Sequence, residues 1–183
     1  ASACDRLLSP KRDLVTIPPA QPGTTPETVT EYSAALEWFT TERPVLVACI
    51  NYAAATGYDS HAMHLAWAMM SFFDRRSHWQ DWLVIQHTAL TCARRVNSLV
   101  GQGNAHRSLG RGYIYLGRPT EAQPHLNAAL AKYSEASDDA GQAYTHLNLA
   151  ILMGQQERRK DALHHADEAL TLFRGRQHRI GEA

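Results

Sequence analysis

Three sets of residues in this chain have types and spacings that could do chemistry. The stretch "GQGNAHRSLGRG", residues 101–112, has the glycine content of a loop that cradles phosphate. Ten histidines could furnish metal ligands, with His61 and His64 three apart and His164 beside His165. Asn104, Arg107 and Arg111 stand at i, i+3 and i+7, and guanidinium groups so spaced could grip a carboxylate or phosphate. What each set can do depends on the element that carries it.

A phosphate loop joins a strand to a helix N-terminus, and the P-loop version adds Gly-Lys-Ser/Thr. Here Ala105, Leu109, Tyr113 and Leu116 keep helical spacing straight through the glycines, so the stretch reads as helix and nucleotide binding is not expected. Zinc requires three or four converging ligands. Adjacent His164 and His165 point to different helical faces, and no cysteine or carboxylate completes a recognisable set. The histidines therefore read as solvated or groove-lining, the recurrence of His106 at His146 reads as packing, and no metal or other cofactor is expected. Cys4, Cys49 and Cys92 are odd in number and scattered, which suits a reducing compartment. Cys49 shares helical spacing with Val45, Leu46, Tyr52 and Ala53 and reads as a buried thiol. Glu31, Glu37 and Glu42 have no evident nucleophile or base beside them, so the chain does not read as an enzyme.

Charge narrows the partners. Eighteen Lys and Arg balance eighteen Asp and Glu, leaving no net field to draw nucleic acid or an anionic membrane. The basic cluster of Arg158, Arg159, Lys160, Arg174, Arg176 and Arg179 then reads as solvated or as an interdomain contact. No apolar run is long enough to span a bilayer and the N-terminus carries no signal-like segment, so a cytoplasmic protein, or a piece of a larger one, is expected.

The elements that must position these residues follow from periodicity. Residues 1–30, with "TIPPAQPGTTPET", read as a proline-rich arm or linker pinned by Leu7, Leu8, Leu14, Val15 and Ile17. From residue 31 to 183 the pattern is that of one helical repeat domain without strand signals. A helix pair is expected over 31–57, with Pro44 opening its second helix, Gly57 closing it, and Asp59 or Ser60 capping the next. Repeats of 40 residues follow at 61–100, 101–140 and 141–180, each a helix, a turn and a second helix. Ala122, Ala129 and Leu130 recur as Ala162, Ala169 and Leu170, and Asn97-Ser98 and Ser137-Asp138 supply cap chemistry between copies. Gly181-Glu182-Ala183 aligns with Gly141-Gln142-Ala143, as though another copy began there.

Small residues recur because closely crossing helices need them. Gly110 and Ala122 take that role within the second copy, Ala150 and Ala162 within the third, and Ala89, Ala129 and Ala169 face the following copy. Leu109, Tyr113, Leu126, Leu130, Leu149, Met153, Leu163 and Leu170 are the expected core. The fold class is all-α: a stacked helical-hairpin solenoid of about eight helices.

The run Leu109-Gly110-x-x-Tyr113, followed by Ala122, Leu126 and Ala129, resembles the tetratricopeptide repeat, with a period of 40 in place of the usual 34. A second resemblance covers nearly the whole chain. "AALEWFTTERPVLVACINYAAATG", "LAWAM", "DWLVIQHTALTCARR" and "LGRGYIYLGRPTEAQPHLNAAL", in that order, look like the helical-repeat segment of AfsR/SARP-type signal-transducing ATPases of actinobacteria. In that family a Trp-x-x-x-Glu-Arg-Pro stretch similar to Trp38–Pro44 precedes the repeats. The resemblance implies a transcription regulator with an NB-ARC nucleotide-binding module upstream of these residues.

In stacked hairpins the first helix of each copy faces the groove. The groove stripe is then His64, Trp67 and Ser71 in the first copy, Asn104, Arg107 and Arg111 in the second, and Tyr144, Asn148 and Ile151 in the third. The expected function is non-catalytic: a regulatory, protein-interaction domain that binds an acidic peptide, a partner protein or the ATPase module of its own protein. A small-molecule or metal sensor built in the same groove is the alternative.

Overall fold

The computed structural model describes residues 1–9, 23 and 28–181, the last six of these by backbone alone. Leu14, Val15 and Ile17 of the arm, the Arg176 and Arg179 side chains, and Glu182 and Ala183 lie outside the described residues. Among the described residues every regular element is a helix. α1 is Ser2–Leu8, α2 Tyr32–Ala55, α3 Asp59–Ala68, α4 Met70–Arg76 and α5 Trp79–Arg95. α6 is Leu99–Tyr115, α7 Pro119–Glu135, α8 Asp139–Gln155 and α9 Arg159–Gly181. Because α3 and α4 are two stretches of one helix interrupted at Met69, the architecture is that of eight helices stacked as successive hairpins.

The turns keep strict time. A residue in the left-handed conformation stands at Gly57, Ser77, Asn97, Gly117, Ser137 and Glu157, one every 20 residues. Each from Asn97 onward closes a helix by the same pair of bonds. The N–H of Ser98 donates to the carbonyl of Ala93 at 2.9 Å and that of Asn97 to Arg94 at 3.2 Å, a pattern repeated at Gly117–Arg118, Ser137–Asp138 and Glu157–Arg158. Ser98 and Asp138 then cap the next helix as the sequence indicates, their side chains accepting from the N–H of Gly101 and Gly141 at 3.1 and 2.9 Å.

Helix crossings are close where the small residues fall. A Cβ added at Gly110 would sit 2.6 Å from Leu126 and 3.3 Å from the carbonyl of Ala122, so only hydrogen fits there. Ala122, Leu126 and Ala129 are fully buried, and Ala89 and Ala169 nearly so. The core is continuous in two parts, one running from α1 to α6 around Phe39, Phe72, Phe73 and Trp82, the other joining α6, α7 and α8 around Leu126, Leu149 and Met153.

Several expectations are corrected. Residues 2–8 are not irregular: α1 buries Cys4 and Leu8 against α2 and α4. Pro44 does not open a second helix, since α2 runs unbroken through it. Packing of Ala35, Phe39 and Ile50 on either side of the proline outweighs the one backbone bond it removes. Asp59 does not cap α3; its carboxylate receives Arg95 at 3.2 Å. Cys49 is exposed, whereas Cys92 is buried and its thiol is pushed up to about 11, chiefly by burial and then by Asp59. Leu163 and Leu170 are exposed, because they lie on a face of α9 that no further helix covers among the described residues.

Candidate functional site

The first helices of the three copies, α3, α6 and α8, present one contiguous stripe, and a tyrosine from α7 organises its centre. Tyr133 is fully buried, with glycine hollows in α6 and α8 to receive its ring: a Cβ at Gly103 would lie 2.8 Å from it and one at Gly141 2.3 Å. Its hydroxyl donates to Asn104 Oδ1 at 2.6 Å and accepts from Arg107 Nε at 3.2 Å. Burial, above all, raises the pKa of Tyr133, so the hydroxyl keeps the proton it donates.

Arg107 is thereby fixed by one edge of its fork. Its guanidinium carbon lies 5.9 Å from the ring of Trp67 and 5.6 Å from that of Tyr144, so aromatic residues of the first and third copies flank the cation of the second. Among the described residues no carboxylate pairs with it. One turn along α8 from Tyr144, Asn148 is 7% exposed and its Nδ2 has no acceptor among the described residues, a donor left for water or a ligand to complete. Ile151, a further turn on, is half exposed. On the other flank His64, Trp67 and Asn104 line a cleft open to solvent between α3, α5 and α6, floored by Met63, Gln86 and Ala89. Burial, and then the neighbouring His61, lowers the pKa of His64.

Two more stripe residues are tied to neighbours away from Tyr133. Ser71 is buried and donates to Ser9 Oγ at 2.9 Å, so the end of α1 covers the first-copy end of the stripe. Arg111 Nη2 reaches both oxygens of Asp74 at 2.8 Å and stacks over Tyr115. The candidate site thus gathers around Trp67, Asn104, Arg107, Tyr144 and Asn148. Sequence reasoning did not single out Tyr133; the recurrence of Gly141 at the position of Gly101, where a bulky partner must fit, was the available signal.

Histidines form a second constellation, on the sides of α6 and α8 that face α7 and α9. His106 and His125 bring their Nδ1 atoms to 3.0 Å, and one repeat later His146 and His165 do the same at 3.0 Å, with ring planes inclined at 41° and 43°. Burial is the leading cause that lowers all four pKa values, taking His106 down to about 4. The surroundings differ. Arg94 and His87 act on both rings of the first pair, and Lys132 adds to them at His106, all disfavouring positive charge. At the second pair His164 acts on both rings and Arg158 on His165 in the same sense, while Glu168 on both rings and Asp161 on His165 act with the opposite sign.

Comparison with known proteins agrees with this architecture. The tetratricopeptide-repeat family model matches residues 87–175. The Regulatory protein AfsR of Streptomyces coelicolor is 25% identical over 156 residues, 85% of this chain and 16% of that protein. The Regulatory protein AfsR of Streptomyces griseus is 27% identical over 150 residues, 82% of this chain and 15% of that protein. This chain therefore spans about one sixth of the length of these relatives. No solved structure matches it.

Proposed function

We propose that this chain, a tetratricopeptide-type solenoid similar over most of its length to a segment of AfsR regulators, is the non-catalytic interaction segment of a multidomain transcription regulator. It binds an acidic peptide segment, carried by a partner or by the ATPase module of the same protein, along the stripe of α3, α6 and α8. The observation that carries this reading is Arg107: a positioned cation between two aromatic rings, with its outer guanidinium nitrogens facing no carboxylate among the described residues. Guanidinium pairs bidentately with carboxylate, and the flanking rings offer apolar contact to the adjoining peptide. Asn148 Nδ2 supplies a second donor.

The test measures binding of fluorescent Asp/Glu-rich peptides by polarisation. Saturable binding lost in Arg107→Glu and retained in Arg111→Gln supports the stripe, since Arg111 is spent on Asp74. Binding that survives Arg107→Glu refutes it. As a non-catalytic segment, the purified chain shows no ATPase activity and no specific binding to duplex DNA; ATP hydrolysis that copurifies with it would refute that part.

A further inference from the structure

The repeat register sets Met63, Ala93 and Gly101 at the positions that Gly103, Tyr133 and Gly141 occupy one copy later. At the second junction the ring of Tyr133 fills the space between α6 and α8. At the first, Ala93 offers only a methyl group, and Met63 reaches across from α3 into the space that a Cβ on Gly101 would need. Beside it lies the cleft between α3, α5 and α6, of about 130 Å³. Met63, Trp67, Ala89, Val100 and Ala105 give it apolar walls, and none of the described residues lining it is Asp, Glu, Lys or Arg. Gln86 in the floor turns its amide to the carbonyl of Ala66 at 3.5 Å, and the lowered pKa of His64 keeps that ring neutral at pH 7. A cavity of roughly 150 Å³ accepts a benzene ring, so the cleft matches one aliphatic side chain or one small ring.

The cleft adjoins Arg107. Trp67 lines it and stands 5.9 Å from the guanidinium carbon, and Asn104 lines it and shares the Tyr133 hydroxyl with Arg107. A cationic and an apolar subsite therefore meet at one tryptophan ring. Side chains two residues apart on an extended peptide leave the same face about 6–7 Å apart. That spacing lets a carboxylate meet Arg107 while its neighbour passes Trp67 into the cleft. We propose, on the basis of the stripe as an acidic-peptide site, that the bound segment carries an apolar residue two places from its carboxylate, and that the cleft between α3, α5 and α6 takes this side chain. Charge then brings the ligand to the stripe, and the apolar anchor selects among acidic segments. A methionine in the wall suits this role, because its rotatable bonds let it yield to ligands of different shape.

Two fluorescent peptides are compared by polarisation on the whole chain: an Asp/Glu-rich sequence with Leu two places to either side of a central Glu, and the same sequence with Ser at those places. The Leu peptide is expected to bind about 10-fold more tightly, Arg107→Glu to abolish binding of both, and the ε-methyl resonance of Met63 to move with the Leu peptide alone. Met63→Gly combined with Ala93→Tyr rebuilds the second junction at the first and fills the cleft with a phenol ring. In that variant the two peptides should bind alike and still depend on Arg107. Equal wild-type affinities that are lost in Arg107→Glu overturn the cleft and leave the stripe standing; no saturable binding of either peptide overturns both. A Lys-rich peptide with the same two Leu that binds as tightly as the acidic one overturns the coupling to Arg107. A folded double variant that keeps the Leu preference overturns the cleft. Should that variant lose its helix signal, a Met63 resonance unmoved by the Leu peptide overturns it.

Discussion

Arg107 shows how a surface cation acquires a fixed direction. Tyr133 holds its Nε, and Trp67 and Tyr144 stand on either side. Tyr133→Phe keeps the ring in its glycine hollows but deprives Asn104 and Arg107 of their common partner. A stability loss of about 1 kcal/mol is expected in denaturant melts, together with weaker peptide binding, because the guanidinium regains its freedom. The histidines give the molecule an acid limit. His106 faces His87 and Arg94 from α5 and His125 and Lys132 from α7, and its pKa falls from 6.5 to about 4 on folding. A depressed pKa means that the unfolded chain binds the proton more readily. The stability from this group is complete above pH 6.5 and is lost as pH drops toward 4. Melting temperature should therefore fall across that window, and His106→Gln should flatten the slope; an identical slope in the variant would exclude His106 as its source.

At the scale of the element, glycine and alanine set the distance between helices and left-handed residues set their length. Ala122→Phe must displace Leu126 or the α6 backbone, and about 1–3 kcal/mol of destabilisation is expected by chemical melts. Glu157 adopts a left-handed φ of 60° that costs a side-chain-bearing residue about 1–2 kcal/mol. Glu157→Gly should accordingly raise stability by about 1 kcal/mol, and a lower melting temperature would show that the glutamate side chain contributes more than its strain costs. Much of this was legible beforehand. Helical period, the caps at Ser98 and Asp138, and the small residues at Gly110 and Ala122 are local or periodic signals. Long-range contacts were not. Asp74 engages Arg111 from 37 residues away, and Ser9 meets Ser71 from 62, so spacing alone could not reveal that two stripe residues are taken. Pro44 and Met69 failed for a related reason: one local rule broke a helix that packing holds together, and none marked the place where a helix does break.

For the whole molecule, function and fold share the same surfaces. Tyr133 fastens α6 to α8 with its ring and aims Arg107 with its hydroxyl, so the stripe cannot be altered at its centre without loosening the stack. The end of α1 over Ser71 bounds the stripe at one end, while α9 exposes Leu163 and Leu170 at the other. The even spacing of the turns has a consequence at the level of the gene. Forty codons are one interchangeable unit, whether it is gained or lost. Duplicating residues 101–140 would set the first Tyr133 against a second Gly101 and the second Tyr133 against Gly141, filling both hollows. Excising the same residues would bring Gly141 to the place of Gly101, where Ala93 is too small to fill the hollow and Met63 of α3 reaches in to fill it. Such an array can grow or shrink by whole units, each junction closed by whichever bulky side chain its neighbour supplies.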